Sequence, residues 1–266
     1  MSPAVERLYR YPVKGLSPEA LTAVTLEAGR CLPHDRRFAL ARSDSAFDPA
    51  HPVHLPKTNF FMLMRDERLA ELHTRFDASD GDFEIVRDGE TLLTVTLDTP
   101  DGREAIERFF ADFLGDAPGV PPKLVEAAGH AFGDARRRPN AQTGQYVSLI
   151  NLASIAALSE RVGTDLDPLR FRANVYFSGL PAWNELNWVD GHIRLGKARL
   201  HVVSPITRCA ATTVNPATAQ RDIDVPRQLM QHFGHNYMGV YAEVLEGGAF
   251  ALGDTLMAEA TAFVST

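Results

Sequence analysis

The sequence predicts a β-rich α+β fold, its sheets curled and barrel-like, with a few helices packed outside. Three observations lead there. Much of the chain divides into short runs of β-favouring residues that alternate apolar with polar and close on Gly, Pro or Asp turns. Asp88-Gly89, set between runs at 83–87 and 91–97, is a strong hairpin signal. Helical periodicity is confined to a few segments. The clearest is at 103–114, where Ile106, Phe109, Phe110, Phe113 and Leu114 share a face and Gly115 stops the helix.

In chain order, a strand over 4–12 ends at Pro12, and Val13-Lys14-Gly15-Leu16 makes a turn in which Gly15 permits close backbone approach. A strand over 21–27 closes on Ala28-Gly29, and a second over 38–41 follows Asp35-Arg36-Arg37. Pro49, Pro52 and Pro56 mark 43–59 as a loop, and a short helix is expected over 60–69. From 71 to 97 the pattern is β again, with a turn at Asp80-Gly81-Asp82. Gly and Pro crowd 115–122, which makes it the internal boundary and divides the chain into 1–120 and 121–266. The basic run at 136–138 is either a solvated loop or the flank of an anion pocket. A strand at 146–150 leads into a helix at 152–162, and Asn151 or Ser154 lies near its N-terminus, where free N–H groups accept anions. Strands follow at 175–178, then at 192–195 and 198–203 around Gly196-Lys197. Pro205 sets a turn before a short strand that carries Cys209 into a loop, and Asn215-Pro216 turns behind it. A helix over 225–233 stops at Gly234, a strand covers 237–245, and Gly253-Asp254 turns into a last strand at 255–260.

With 266 residues, 45% of them hydrophobic, the chain can bury a large core or two modest ones. Its net charge of −7 argues against nucleic acid as the main partner. No run is long and apolar enough to span a membrane, and the first residues lack the apolar core of an export signal. A cytoplasmic setting with Cys31 and Cys209 reduced is therefore expected.

Cys209 directly follows Arg208 and precedes Thr212-Thr213. A neighbouring guanidinium favours the thiolate, which attacks electrophiles and binds metals, whereas a buried thiol packs as a small inert hydrophobe. Both readings are open for Cys209, and the second serves Cys31. His51-x-x-His54 and His232-x-x-His235 have metal-like spacing without a placed partner, so surface and capping roles compete with ligation. Trp183 and Trp188 around Glu185 line a pocket or cover a core edge. Rossmann, P-loop and Gly-x-Ser-x-Gly signatures are absent.

Taken in order, several short motifs resemble one family. They are Tyr11-Pro12-Val13-Lys14-Gly15, Asp35-Arg36-Arg37-Phe38, Arg170-Phe171-Arg172-Ala173-Asn174, Trp183-x-Glu185, Arg208-Cys209 with Thr212-Thr213-Val214, Arg221-Asp222, Met238-Gly239-Val240-Tyr241 and Leu252-Gly253-Asp254. Each is weak alone, but the ordered set resembles the MOSC family, the molybdenum cofactor sulfurase C-terminal domain preceded by its N-terminal β-barrel domain. The resemblance implies an N-terminal β-barrel-like domain, a MOSC β-barrel domain with peripheral helices, and a molybdenum cofactor (Mo-molybdopterin) between them. It implies Cys209 as the molybdenum ligand, a role that suits a soft thiolate. By the same match Lys14, Gly15 and Arg36 address the cofactor phosphate. Arg172 and Asn174 address the pterin. Asn151, Ser154 and Thr212 are small polar contacts, and Arg208 and Tyr241 border the metal or substrate space. The family often has Ser where this chain has Gly15, which removes a hydroxyl contact.

The activity implied is reduction of N-hydroxylated small molecules, with pyridoxal phosphate binding as a further family association. Without a four-cysteine iron–sulfur domain, electrons are expected from a separate protein, whether ferredoxin, a flavoprotein reductase or a cytochrome b5-like donor. Two other readings remain open: a sulfur carrier with a Cys209 persulfide, and a cofactor-binding protein without turnover.

Overall fold

The structure is a computed structural model that describes residues 3–135 and 145–259. The basic run at 136–138 and Ala260 of the expected last strand lie outside the described residues.

The chain opens with β1 (Ala4–Arg10), β2 (Glu19–Leu21), β3 (Ala23–Leu26) and β4 (Ala39–Ala41). It continues with β5 (His73–Phe76), β6 (Asp82–Arg87), β7 (Glu90–Thr96), α1 (Pro100–Leu114) and β8 (Lys123–Val125). Then come β9 (Val147–Asn151), α2 (Leu152–Val162), β10 (Val175–Ser178), β11 (His192–Leu195), β12 (Ala198–Thr207) and α3 (Val225–Phe233). It closes with β13 (Tyr237–Glu246), β14 (Gly248–Ala251) and β15 (Leu256–Ala258). This is the β-rich α+β class expected, built on a curled sheet.

Eight strands form that sheet in the order β15-β11-β12-β13-β9-β10-β1-β2, antiparallel throughout except for β9 beside β10. Period-2 alternation gives the sheet two apolar faces. Val175 and Phe177 point into one cluster with Val147, Leu149, Val202, Val240 and Val244. Tyr176 points the other way, with Ile150 and Met238, under the apolar sides of α2 (Ile155, Leu158) and α3 (Val225, Leu229). At Gly239 the backbone is left-handed (φ 77°), and a Cβ there would sit 2.4 Å from Leu149 O, so β13 can approach β9 only with glycine at this point.

The N-terminal half packs a second core. The three-stranded sheet β5-β6-β7 and α1 enclose Phe38, Leu40, Phe61, Phe76, Phe83, Ile106 and Phe110. Asp88 and Gly89 (φ 53° and 81°) make the expected tight turn between β6 and β7, because both turn positions require positive φ. Helix α1 begins three residues before its expected start because Thr99 caps it, accepting from Gly102 N at 3.1 Å, with Pro100 in the first turn. The halves are sewn together. β1 pairs with β10, β3 with β14, and β4 with β8.

Four expectations need correction. Residues 60–69 are not a helix. Phe61 N bonds Leu40 O at 2.8 Å, and only Glu67–Glu71 winds into a 3-10 turn. Phe60 and Phe61 enter different cores, which an extended chain allows and a helix face does not. The strand at 21–27 breaks at Thr22 so that β2 can pair β1 and β3 can pair β14. Pro205 lies inside β12, where irregular register on both sides accommodates a residue that cannot donate to the ladder. β8 and β14 are strands that the sequence reading did not contain.

Candidate functional site

The site is assembled where turns from both halves meet one face of the large sheet. Tyr11, fully buried at the end of β1, supplies its platform. Tyr11 N donates to Asp35 Oδ1 at 2.8 Å and Tyr11 O accepts from Arg36 N at 2.7 Å, which clamps the Asp35-Arg36 turn to the first strand. Arg36 takes a left-handed backbone (φ 52°), as does Arg172 (φ 51°) where it ends the 3-10 turn Pro168–Phe171. Both guanidinium groups lie over the Tyr11 ring, at 4.9 and 4.4 Å from its centroid.

The two arginines differ in their partners. Arg36 pairs with the Asp35 carboxylate and donates through Nη2 to Arg172 O at 3.0 Å. The half-buried Arg172 guanidinium lies over the Tyr11 ring and feels the Asp35 charge, but makes no hydrogen bond or ion pair among the described residues. Burial pulls the Arg172 pKa down. Burial acts on Arg36 in the same direction, but Asp35, Tyr11 and Tyr241 together more than offset it and its pKa ends up raised.

Lys14 is almost fully buried and donates to Phe132 O at 2.9 Å and to the Asp134 carboxylate. Burial holds its pKa below the usual lysine value, against the pull of Asp134. Gly15 beside it (φ 86°) faces protein and not open space. A Cβ there would lie 3.2 Å from Phe61 O and 3.3 Å from Met62 Cα.

On the far side, Arg208 is buried with no carboxylate partner among the described residues. It donates from Nε to Met238 O at 3.0 Å, from Nη1 to Phe171 O at 2.8 Å, and from Nη2 to Met238 O. Burial lowers its pKa, while Tyr241, Tyr176 and Cys209 push the other way. Cys209 follows it, partly exposed, at the head of the 3-10 turn Ala210–Thr213. Thr212 braces the cysteine: its N and Oγ1 both donate to Cys209 O, at 3.0 and 2.9 Å. Tyr241, half-buried on β13, feels Arg208, Arg36, Asp134 and Cys209, and burial raises its pKa.

Among the described residues the cations Lys14, Arg36, Arg172 and Arg208, with Lys57 acting on Lys14, thus gather against the carboxylates Asp35 and Asp134, in a chain whose net charge is −7. A buried charge without a partner costs several kcal/mol, so cations are held this way where an anion completes the site. The donor set therefore fits a ligand with an anionic tail, and the accessible thiol of Cys209 fits a soft metal at its other end.

Other expected site residues are engaged elsewhere. Asn151 caps α2, accepting from Ala153 N at 3.1 Å, and donates to Pro181 O at 2.8 Å. Ser154 donates to Glu185 at 2.8 Å and accepts from Trp183 N at 2.8 Å. Asn174 is fully buried, accepting from Ser148 N and Oγ (3.1 and 2.8 Å) and donating to Tyr9 O at 3.2 Å. The polar groups of these three are taken up in strand-end and cap networks.

Tyr11, Asp35 and Asp134 join the site without a role expected from sequence. Asp35 is at least flagged by its place before two arginines, whereas nothing local marks Asp134. The histidine pairs bring no metal centre: no group of three or more His, Cys, Asp or Glu is placed to hold a metal among the described residues. His51 bonds Asp48, and His232 meets Gln228 near the end of α3. Cys31 is buried against Gln145 and Asp35 O, and burial pushes its pKa up to about 12. A cavity of about 290 Å³ opens beside Cys31, His34, Asp35 and Gln145, but none of Lys14, Arg36, Arg172, Arg208 or Cys209 lines it. No helix among the described residues is long and apolar enough to cross a membrane.

Comparison with known proteins bears on the whole chain. A stretch of 72 residues is 38% identical to the Danio rerio mitochondrial amidoxime-reducing component 1, covering 27% of this chain and 22% of that protein. A stretch of 89 residues is 34% identical to the Xenopus laevis protein of the same name, covering 32% and 25% respectively. The chain therefore aligns with a quarter or less of the length of these relatives. Among solved structures, the YUAD protein from Bacillus subtilis covers 96% of this chain and 94% of its own at 13% identity, with a TM-score of 0.45. Residues 2–117 match the MOSC N-terminal beta barrel domain and residues 129–257 the MOSC domain, and on that nearly complete cover the chain belongs to the MOSC family.

Proposed function

We propose that this chain holds a molybdenum pyranopterin cofactor and reduces N-hydroxylated small molecules with electrons from a separate donor protein. One observation carries the reading. Among the described residues Arg172 has no hydrogen-bonding partner and Arg208 no carboxylate, and the charges of Arg36, Arg208 and the partly exposed Cys209 all bear on Tyr241. The family membership and the names of the amidoxime-reducing relatives support it.

In this reading Lys14 and Arg36 grip the cofactor phosphate by charge-assisted hydrogen bonds. Arg172, held over Tyr11, offers its fork to the pterin edge or the phosphate. Cys209 is the protein's metal ligand, and Thr212 fixes its backbone from behind. When bound, such a cofactor supplies the two-electron chemistry that converts an N–OH group to N–H and water. Tyr241, with its pKa raised, keeps Oη protonated at neutral pH and donates to the departing oxygen. Arg208 holds positive potential beside the thiolate. Asn151, Ser154 and Asn174 act as scaffold. The two cysteines of these 266 residues are too few to ligate an iron–sulfur cluster, so in this reading the electrons come from a group outside these residues. Both cysteines are free, consistent with a cytoplasmic setting. We keep 115–122 as the junction between the two units. No described residue argues for pyridoxal phosphate.

A second reading is sulfur transfer through a Cys209 persulfide, favoured by the same accessible thiol in cationic surroundings. Metal analysis of protein from a molybdate-fed host separates the two. Near-stoichiometric molybdenum in the wild type, lost in Cys209→Ser, is expected. Metal-free protein carrying labile sulfur on Cys209 would replace the first reading with the second. Turnover of benzamidoxime with a chemical reductant then distinguishes an enzyme from a cofactor store.

A further inference from the structure

Arg221 belongs to no step above, yet it is the most heavily bonded side chain around the Cys209 loop. Its Nη1 donates to Ala210 O at 3.0 Å and to Thr213 Oγ1 at 2.8 Å, and Ala210 is the residue directly after Cys209. Its Nη2 reaches into the N-terminal half, to Leu63 O, Met64 O and Glu67 Oε2, each at 3.0 Å. Phe61 and Met62, just before that segment, are the backbone against which Gly15 packs, next to Lys14. One guanidinium therefore connects the thiol loop to the support of the phosphate-side lysine. Asp222 makes the complementary connection. It receives both Nη atoms of Arg170, at 2.7 and 2.6 Å, two residues before Arg172, and Asn215 Nδ2 at 2.8 Å. The Glu67 ion pair is partly exposed and contributes little by itself. Five oxygen acceptors, two at Nη1 and three at Nη2, require the planar guanidinium, which a lysine ammonium cannot imitate.

We propose that Arg221 is a positioning residue that couples the Cys209 thiol to the anion-binding cations, so that an anion held at Lys14 and Arg36 changes how the thiol is presented. The proposal rests on the anion-binding reading above.

Inorganic pyrophosphate serves as the probe on the cofactor-free full chain. Calorimetry reads its affinity, and Ellman's reagent reads the rate at Cys209, with Cys31 silent because it is buried. In the wild type, saturating pyrophosphate should slow the thiol reaction by about fivefold or more, the low end of ordinary coupling between sites. In Arg221→Lys the affinity should stay within about twofold while the slowing shrinks below about twofold. Thr213→Val, which removes the hydroxyl that accepts from Arg221 and donates to Ala210 O and leaves the guanidinium in place, should fall between them. It also keeps the test open should Arg221→Lys not fold. Equal slowing in wild type and both variants overturns the coupling and leaves the anion site standing. Absence of pyrophosphate binding to the wild type overturns both.

Discussion

Two groups of buried or half-buried polar side chains in this protein differ in what their polar atoms do. Asn151, Ser154 and Glu185 form one, and their polar groups are used internally: caps, backbone carbonyls and a serine hydroxyl facing a carboxylate. Lys14, Arg36, Arg172 and Arg208 form the other. There, among the described residues, cations exceed carboxylates, the Arg172 guanidinium has no hydrogen-bonding partner, and a thiol stands partly exposed nearby. A closed network stabilises the fold. An open one is a binding site waiting for charge. Burial alone does not tell the two apart; satisfaction does.

The comparison breaks most sharply at Arg172. Arg172→Ala should weaken pyrophosphate binding by about ten- to a hundredfold, the usual value of hydrogen bonds to charged groups, without lowering the melting temperature. Titration calorimetry with parallel melting curves reads both. Unchanged affinity would move Arg172 into the closed group.

Ser154→Ala should do the reverse. It strips the Glu185 carboxylate of its serine donor and Trp183 N of its acceptor, at a cost of about 1–3 kcal/mol by chemical denaturation, with anion affinity untouched.

Smaller is the pH dependence of the closed network. Burial raises the Glu185 pKa above its unfolded value, so the folded state favours the protonated form. Its contribution is complete below the ordinary glutamate pKa and is lost as pH rises through the raised one. Stability should therefore decline over that window, by at most about 1.4 kcal/mol per pH unit, and Glu185→Gln should flatten the decline. A slope identical in the variant would assign the effect to another group. The smallest effect sharpens the contrast between thiols. Cys209 should react with Ellman's reagent in the folded protein, and Cys31, with its pKa near 12, only after unfolding.

Much of the fold was legible because local signals were sufficient. Helices α2 and α3 begin and end where expected, since Asn151 and Asp224 cap their starts and Gly163 and Gly234 take left-handed conformations at their ends. Segments decided by distant partners were not legible. Phe60 and Phe61 are extended because two cores claim them, and β8 and β14 exist only as partners of β4 and β3. The site divides in the same manner. Arg208-Cys209, Asp35-Arg36 and Arg170-Phe171-Arg172 stood out as motifs and are brought together. Asp134 was invisible because it joins through Lys14, 120 positions away. Asn151 and Ser154 were placed by a helix-start argument that was right about the backbone and silent about which neighbours would occupy their side chains.

The most direct test is the pterin content of three purified proteins, read by fluorescence after oxidative release: wild type, Ser154→Ala and Arg172→Ala. The account expects near-stoichiometric pterin in the first two and loss of most of it in the third. Retention in Arg172→Ala together with loss in folded Ser154→Ala would contradict it.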